Sequence, residues 1–335
     1  MIFFLVFIFN INLFSYESNL SILYSDPFAD IKGVSGLSIV SKTESLRGSI
    51  NSSFLGYLTK NIVSFSFSND YYKTGYYSII SSSIKIKKDA AFNFSYYSYR
   101  SGSDDFYLSD ELKTTIDFEK DDIFQFSIGK SFNNFSFGFK AKFLNSTLFE
   151  KYNANTFMFD FDFLLRKIAG FDIYMGFENL GGRLKYIEEN ENLPLFYKLE
   201  IARDINIGPI YLNVGWGIKK SKNYSSNSFG LWIGMINFPL EICSGYQNIV
   251  DYGNFYSGGL SIGFENFYIS YGIELTKVFE KNIQKISISY LFDNFLLRDN
   301  NKIEKGNKDN NFRKTPSNKK KEKQKTSPYQ EIIIF

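Results

Sequence analysis

Apolar and polar side chains alternate along most of this chain, from about residue 62 to residue 292. In residues 135–143, for example, Phe135, Phe137 and Phe139 occupy every second position, and small or polar residues lie between them. Because successive side chains of a β-strand point to opposite faces, this alternation predicts a sheet with one apolar and one polar face. Such a sheet suits a closed barrel that has lipid outside and water inside.

The alternating segments are each about ten residues long and number about fourteen. They cover residues 62–68, 76–87, 91–99, 123–130, 135–143, 157–165, 171–179, 195–203, 209–218, 228–236, 239–247, 256–264, 267–275 and 284–292. An even number of strands is typical of bacterial single-chain barrels. We therefore predict an all-β fold, an antiparallel transmembrane β-barrel of about fourteen strands over residues 61–292.

The connections between these segments alternate in length. We expect tight turns near residues 88–89, 132–133 and 265–266, and long loops at 100–122, 144–156 and 180–194. Short periplasmic turns and longer outer loops give this pattern in outer-membrane barrels.

Charged residues within the predicted strands share the polar phase, which faces the lumen. Six of them are our candidates for contacting a ligand there: Lys140, Lys142, Asp160, Asp162, Lys198 and Glu200. If segments 135–143 and 157–165 form a hairpin, Lys140 lies opposite or diagonal to Asp160. Lys140 and Lys142 then have two roles open to them, as partners of a ligand carboxylate or as members of a structural ion pair, and the ion pair is favoured.

Composition excludes several kinds of catalytic site. Aromatic residues make up 19% of the 335 residues, with 38 Phe and 24 Tyr, yet the mean hydropathy of -0.19 is too low for a helical membrane protein. The chain has no histidine, so Ser-His-Asp triads and His-ligated metals are excluded. The single cysteine, Cys243, fits a packing role. We predict no enzyme activity, no catalytic or metal-binding residues and no cofactor.

The N-terminal residues predict export. Residues 1–14, MIFFLVFIFNINLF, are apolar but too few to span a membrane as a helix, and small and polar residues follow them. We interpret residues 1–18 as a signal peptide, with a retained anchor as the alternative because no Lys or Arg precedes the run. Residues 19–60 predict a compact segment with short strands, which forms either a plug inside the barrel or a periplasmic arm.

The C-terminal segment, residues 293–335, loses the alternation and becomes highly charged. From residue 296 onwards it holds 11 Lys and Arg against 5 Asp and Glu, a net charge of +6. This composition predicts a disordered basic tail on the periplasmic side. Solvated chain is the simplest interpretation; the functional alternative is contact with anionic lipid or with a periplasmic or envelope protein. Nucleic acid is not an expected partner of an exported protein.

Two stretches of sequence carry a family resemblance. Residues 179–186, NLGGRLKY, precede a short acidic loop and then Leu193-Pro194, and the glycine-rich residues 33–37 lie near the N-terminus. In these two stretches, and in the spacing of its predicted strands over about residues 25–292, the chain resembles the FadL-like superfamily. The resemblance is in particular to its PorV/PorQ branch and to related uncharacterised spirochaete-type outer-membrane proteins. It departs at residues 51–55, NSSFL, where that family usually carries Asn-Pro-Ala-Gly-Leu.

The resemblance implies two functions. FadL-like proteins take up long-chain fatty acids or other small hydrophobic molecules through the bacterial outer membrane, and PorV-type members are non-enzymatic components of a protein-export system. We expect outer-membrane lipid and a hydrophobic small molecule such as a fatty acid as partners, and uptake as the function. The alternative is a PorV-like scaffold of an export or envelope complex. A soluble secreted β protein is disfavoured by the Phe-rich faces of the strands.

Overall fold

The computed structural model describes residues 20–40, 44–69, 75–109, 112–187, 190–236, 238–276 and 282–293. The predicted signal peptide, residues 1–18, lies outside these ranges. So does the predicted basic tail, apart from Asp293.

The described chain contains eighteen strands. In chain order they are β1 Asn61–Asn69, β2 Tyr76–Lys87, β3 Ala90–Arg100, β4 Ser103–Ser109, β5 Leu112–Asp117, β6 Glu119–Phe132, β7 Phe135–Leu148, β8 Tyr152–Ile168, β9 Phe171–Leu180, β10 Arg183–Lys185, β11 Asn190–Asn192, β12 Phe196–Ile207, β13 Ile210–Lys220, β14 Ser225–Met235, β15 Leu240–Ile249, β16 Gly253–Phe264, β17 Phe267–Thr276 and β18 Ile283–Phe292. Strands β4 and β5 pair with each other, as do β10 and β11. The other fourteen form a closed barrel, in which β1 pairs with β18.

The fourteen-stranded antiparallel barrel confirms the predicted fold class, and every predicted strand overlaps one barrel strand. The predicted long loop at residues 144–156 is wrong, because β7 continues to Leu148 and β8 begins at Tyr152. Here the outer face of the hairpin becomes polar, and Thr147 Oγ1 donates a hydrogen bond to Oδ1 of the exposed Asn153 at 2.6 Å. The strands therefore continue after the apolar alternation has ended.

The two ends of the barrel differ in their connections. At one end, here called the turn end, short turns such as residues 133–134, 169–170 and 265–266 join the strands. At the other, the loop end, the β4–β5 and β10–β11 hairpins lie between barrel strands. Turns 221–224 and 250–252 also belong to the loop end.

The outer wall is apolar and its aromatic rings contact one another across strands. Exposed side chains include Phe94, Phe124 and Phe161, and the rings of Phe139 and Phe161 lie 5.1 Å apart. The inner wall carries serine, glycine and charged residues that are buried although they are polar. This distribution is opposite to that of a soluble protein, and it suits a barrel in lipid.

Residues 20–40 and 44–60 lie inside the barrel and form what we call the plug. It contains α1 Ser21–Tyr24, α2 Ala29–Gly33, α3 Glu44–Ile50 and a 3₁₀ helix Ser52–Tyr57. The predicted short strands are wrong: the described part of the plug is helical turns and irregular chain. In a closed barrel no strand edge is free to pair with the plug, so its backbone forms hydrogen bonds locally and with side chains of the wall.

The plug runs from one end of the barrel to the other. At the loop end, Tyr24 packs against Phe196 of β12 with ring centroids 5.3 Å apart. Helix α2 contacts β16 and β17, and the 3₁₀ helix contacts β6 and β7. At the turn end, the Tyr57 hydroxyl donates to the Asn133 carbonyl oxygen at 2.9 Å. No helix within the described ranges is long and apolar enough to cross a membrane.

Candidate functional site

Glycines in the barrel wall give the plug room to approach. A Cβ atom on Gly138 of β7 would lie 2.3 Å from the Ser52 carbonyl carbon, and one on Gly272 of β17 would lie 2.3 Å from the Ala29 carbonyl oxygen. Real Cβ atoms do not approach other atoms so closely. The wall and the plug therefore fit each other at opposite sides of the lumen.

Asp162 of β8 binds the plug through its backbone. Its Oδ2 accepts hydrogen bonds from Ser52 N at 2.7 Å and Ser52 Oγ at 3.0 Å, and its Oδ1 accepts one from Ser53 N at 2.6 Å. These serines belong to the NSSFL stretch that replaces the usual motif of the resembled family. Asp162 is one of the six predicted lumen residues, and it lies outside both cavities described below.

Lys140, Lys142 and Asp160 form one buried cluster. Asp160 Oδ2 lies 3.5 Å from Lys140 Nζ and 2.6 Å from Lys142 Nζ, and all three side chains are at most 11% exposed. The predicted pairing of Lys140 with Asp160 is confirmed, since the two are direct partners in the β7–β8 register. Lys140 Nζ also donates to the Ile50 carbonyl oxygen of the plug.

Asn179, the first residue of the NLGGRLKY stretch, completes this cluster. Its φ of +67° is one that asparagine adopts more readily than most residues. Its N–H donates to Asp160 Oδ1 at 2.8 Å, and its Oδ1 accepts from Lys142 Nζ at 2.9 Å. The stretch thus connects the end of β9 to the charged cluster.

Lys198 and Glu200 of β12 form a second ion pair, with Nζ and Oε1 2.9 Å apart. Glu200 Oε2 also binds the plug, because it accepts from Ser38 Oγ at 3.0 Å and Ile39 N at 2.9 Å. Glu200 and Asp162 thus both hold plug backbone amides, from different parts of the wall.

A cavity of about 310 Å³ lies between the plug and the wall at the loop end. Residues of turns 221–224 and 250–252 line it, together with Tyr77 near the start of β2 and Ile283 at the start of β18. Six charged residues line it as well: Asp26, Lys32, Lys198, Glu200, Lys219 and Glu274. A cavity of this volume falls within the range of small-molecule sites.

Aromatic side chains border this larger cavity. Tyr24 of the plug packs against Tyr224 at 5.4 Å between centroids, and Tyr224 packs against Phe196 at 5.7 Å. Burial raises the pKa of Tyr224 to about 12, so its hydroxyl stays neutral at physiological pH. Apolar rings with a polar atom at one edge suit an amphipathic ligand.

A smaller cavity of about 90 Å³ lies beside the larger one. Lys140, Lys142 and Asp160 line it, and it shares Asp26 and Lys198 with the larger cavity. Of the six predicted residues, Glu200 lines only the larger cavity and Lys198 lines both. Lys140, Lys142 and Asp160 line only the smaller cavity, and Asp162 lines neither.

Four charged residues of the larger cavity are not among the six candidates. Glu274 has the same lumen-facing phase as Glu200, and this phase places it correctly. Lys219 lies at the end of β13, where Lys220 follows it and obscures the phase. Asp26 and Lys32 lie in the plug, where no periodicity exists to assign a side.

The described residues hold no group of three or more His, Cys, Asp or Glu side chains arranged to bind a metal. Cys243 is buried in β15, and its Sγ would lie 2.4 Å from a Cβ added at Gly33. The thiol therefore fills the space that this plug glycine leaves, which is the packing role expected from the sequence.

The closed fourteen-stranded barrel was compared in fold with known proteins. No protein-family model matches the chain, and no curated protein matches it. Among solved structures, a Pseudomonas aeruginosa FadL homologue is similar with a TM-score of 0.55 at 8% identity, over 79% of this chain and 98% of that one.

Two toluene transporters are also similar. TodX of Pseudomonas putida has a TM-score of 0.52 at 9% identity, over 79% of this chain and 98% of its own. TbuX of Ralstonia pickettii has a TM-score of 0.50 at 12% identity, over 85% of this chain and 100% of its own. At these identities the likeness concerns the fold. Membership of the PorV/PorQ branch stays a prediction from the sequence.

Proposed function

We propose that this protein takes up small hydrophobic or amphipathic molecules through the bacterial outer membrane. The larger cavity is the observation that carries the proposal, because it combines aromatic side chains with charged and uncharged polar ones and lies at the loop end. With longer loops outside and short turns in the periplasm, its mouth faces the exterior. The similar structures, a FadL homologue and two toluene transporters, support the same function.

The two cavities suggest where a ligand lies. A molecule in the larger cavity contacts Lys198 and Glu200, and the smaller cavity with Lys140, Lys142 and Asp160 lies next to it. In this proposal the six predicted lumen residues border the path or, like Asp162, hold the plug beside it. Long-chain fatty acids are one candidate substrate class, implied by the resemblance.

Uptake can be tested by filling the cavity. Ser228 of β14 is buried and lines the larger cavity, so Ser228→Phe places a ring in the space of the ligand. Ser244 of β15 is exposed on the outer wall, so Ser244→Phe adds the same ring where it meets lipid. Both variants are expressed in a host that lacks its own uptake barrel, and their folding is checked by heat-modifiable gel mobility.

We expect the Ser228→Phe protein to lose about tenfold or more of the uptake of labelled twelve-carbon compounds, while Ser244→Phe keeps the wild-type rate. Equal uptake by both variants, with both folded, contradicts the proposal. The PorV-like scaffold role stays a prediction from the sequence, because the tail on which it depends lies outside the described residues.

A further inference from the structure

We propose that the larger cavity selects an uncharged amphiphile, such as a long-chain alcohol, over a fatty-acid carboxylate or a plain hydrocarbon. This inference rests on the proposed uptake function and narrows its substrate class. Two features of the cavity carry it: the balance of its buried charges and a patch of uncharged polar side chains on one wall.

The cavity lining carries equal numbers of positive and negative side chains. Its lining holds three lysines, Lys32, Lys198 and Lys219, and three carboxylates, Asp26, Glu200 and Glu274. Lys32 Nζ lies 2.8 Å from Glu274 Oε2 and 3.3 Å from Asp26 Oδ2.

The remaining lysines have carboxylate partners too. Lys198 Nζ lies 2.9 Å from Glu200 Oε1, and Lys219 Nζ lies 3.5 Å from Glu178 Oε2. The next lysine along the wall, Lys285, donates to the Asp26 carbonyl oxygen and so points to the plug. Every lysine of the cavity lining is therefore paired with a carboxylate of this chain.

Binding of a ligand carboxylate in this cavity has a free-energy penalty that binding of a neutral group does not have. It must either lie buried without a counter-charge or take a lysine from a carboxylate that then remains unpaired. A hydroxyl or carbonyl group brings no charge and needs only a hydrogen-bond partner.

Uncharged polar side chains that can bind such a group lie side by side on the wall. Ser226 and Ser228 of β14 point into the lumen, and Gln247 of β15 is the direct register partner of Ser228. Gln247 Nε2 lies 3.4 Å from the Tyr224 hydroxyl. Leu37 of the plug and Phe255 of β16 supply apolar lining for a hydrocarbon tail.

The test measures binding of three matched ligands, dodecanol, dodecanoate and dodecane, to the full-length protein in lipid nanodiscs. Empty nanodiscs correct for partition into lipid, and pH 8 keeps the acid ionised. We expect dodecanol to bind about tenfold more tightly than either dodecanoate or dodecane. Dodecanoate should gain affinity as the pH falls and its carboxylate becomes protonated.

Two charge variants change the preference in opposite directions. Glu274→Gln removes one negative charge from the cavity lining, so the ratio of acid to alcohol affinity should rise about tenfold. Lys219→Gln removes one positive charge from the lining, so the same ratio should fall. A merely structural role for these two residues gives no such opposite shifts.

The outcomes separate this inference from the proposed function. Wild-type binding of dodecanoate as tight as that of dodecanol overturns the charge argument but leaves uptake of hydrophobic molecules intact. Dodecane binding as tight as that of dodecanol overturns the role of the polar patch. Absence of specific binding by all three ligands overturns the proposed function together with the inference.

Discussion

Lys140 and Asp160 occupy directly paired positions on β7 and β8, and their Nζ and Oδ2 atoms lie 3.5 Å apart. The same oxygen lies 2.6 Å from Lys142 Nζ, so one carboxylate pairs with two buried ammonium groups. Because Lys140 also donates to the Ile50 carbonyl oxygen, the cluster joins the wall to the plug.

Removing this carboxylate should therefore be costly. We expect Asp160→Asn to lower the free energy of unfolding by about 3 kcal/mol, because two buried cations lose their counter-charge. The measurement is urea unfolding in detergent, followed by tryptophan fluorescence. Asp89→Asn is the matched control: Asp89 pairs with Lys130 at 3.9 Å, both are more than 40% exposed, and the change should be less than about 1 kcal/mol. Equal effects of the two substitutions contradict the role of the cluster.

A methyl group on Gly272 should displace the plug. Its Cβ would lie 2.3 Å from the Ala29 carbonyl oxygen, so Gly272→Ala forces α2 away from the wall. In planar bilayers we expect more frequent and larger channel openings than for the wild type. Gly258 of β16 provides the control, since its added Cβ meets only the Cys243 carbonyl oxygen at 3.8 Å. If Gly272→Ala conducts like Gly258→Ala, the plug does not depend on this contact.

Tyr224 should make stability sensitive to alkaline pH. Burial raises its pKa from 10.0 to about 12 in the folded protein, so between these values the unfolded chain ionises while the folded protein stays neutral. Its contribution to stability is full below pH 10 and is lost as the pH rises through about 12. Melting temperatures of the wild type should thus fall more steeply over this window than those of Tyr224→Phe. Parallel curves for the two proteins would show that Tyr224 is not the titrating group.

The strand number was predictable because each barrel strand meets lipid on one side and the lumen on the other. Because of that contrast, apolar residues such as Phe157, Phe159 and Phe161 occupy every second position. Where the wall projects beyond the apolar band, as at Thr147 and Asn153, the contrast disappears and the sequence pattern predicts a loop instead of a strand.

The plug was harder to predict than the barrel. Residues around Asp26 and Lys32 are surrounded by wall on all sides, so burial imposes no periodic pattern on them. The pairing of Lys140 with Asp160 could be inferred because both lie in one hairpin. The contact of Lys32 with Glu274 joins residues far apart in the chain, so no local pattern of residues in the sequence could predict it.

The sequence by itself determined the class of fold, the number of strands and which charges face the lumen, because these depend on local alternation. Only the tertiary structure decided that the plug fills the barrel, that Asp162 and Glu200 hold its backbone, and that a charge-balanced cavity remains at the loop end. These features arise when barrel closure brings distant strands and the plug together, and such long-range contacts leave no periodic signal in the chain.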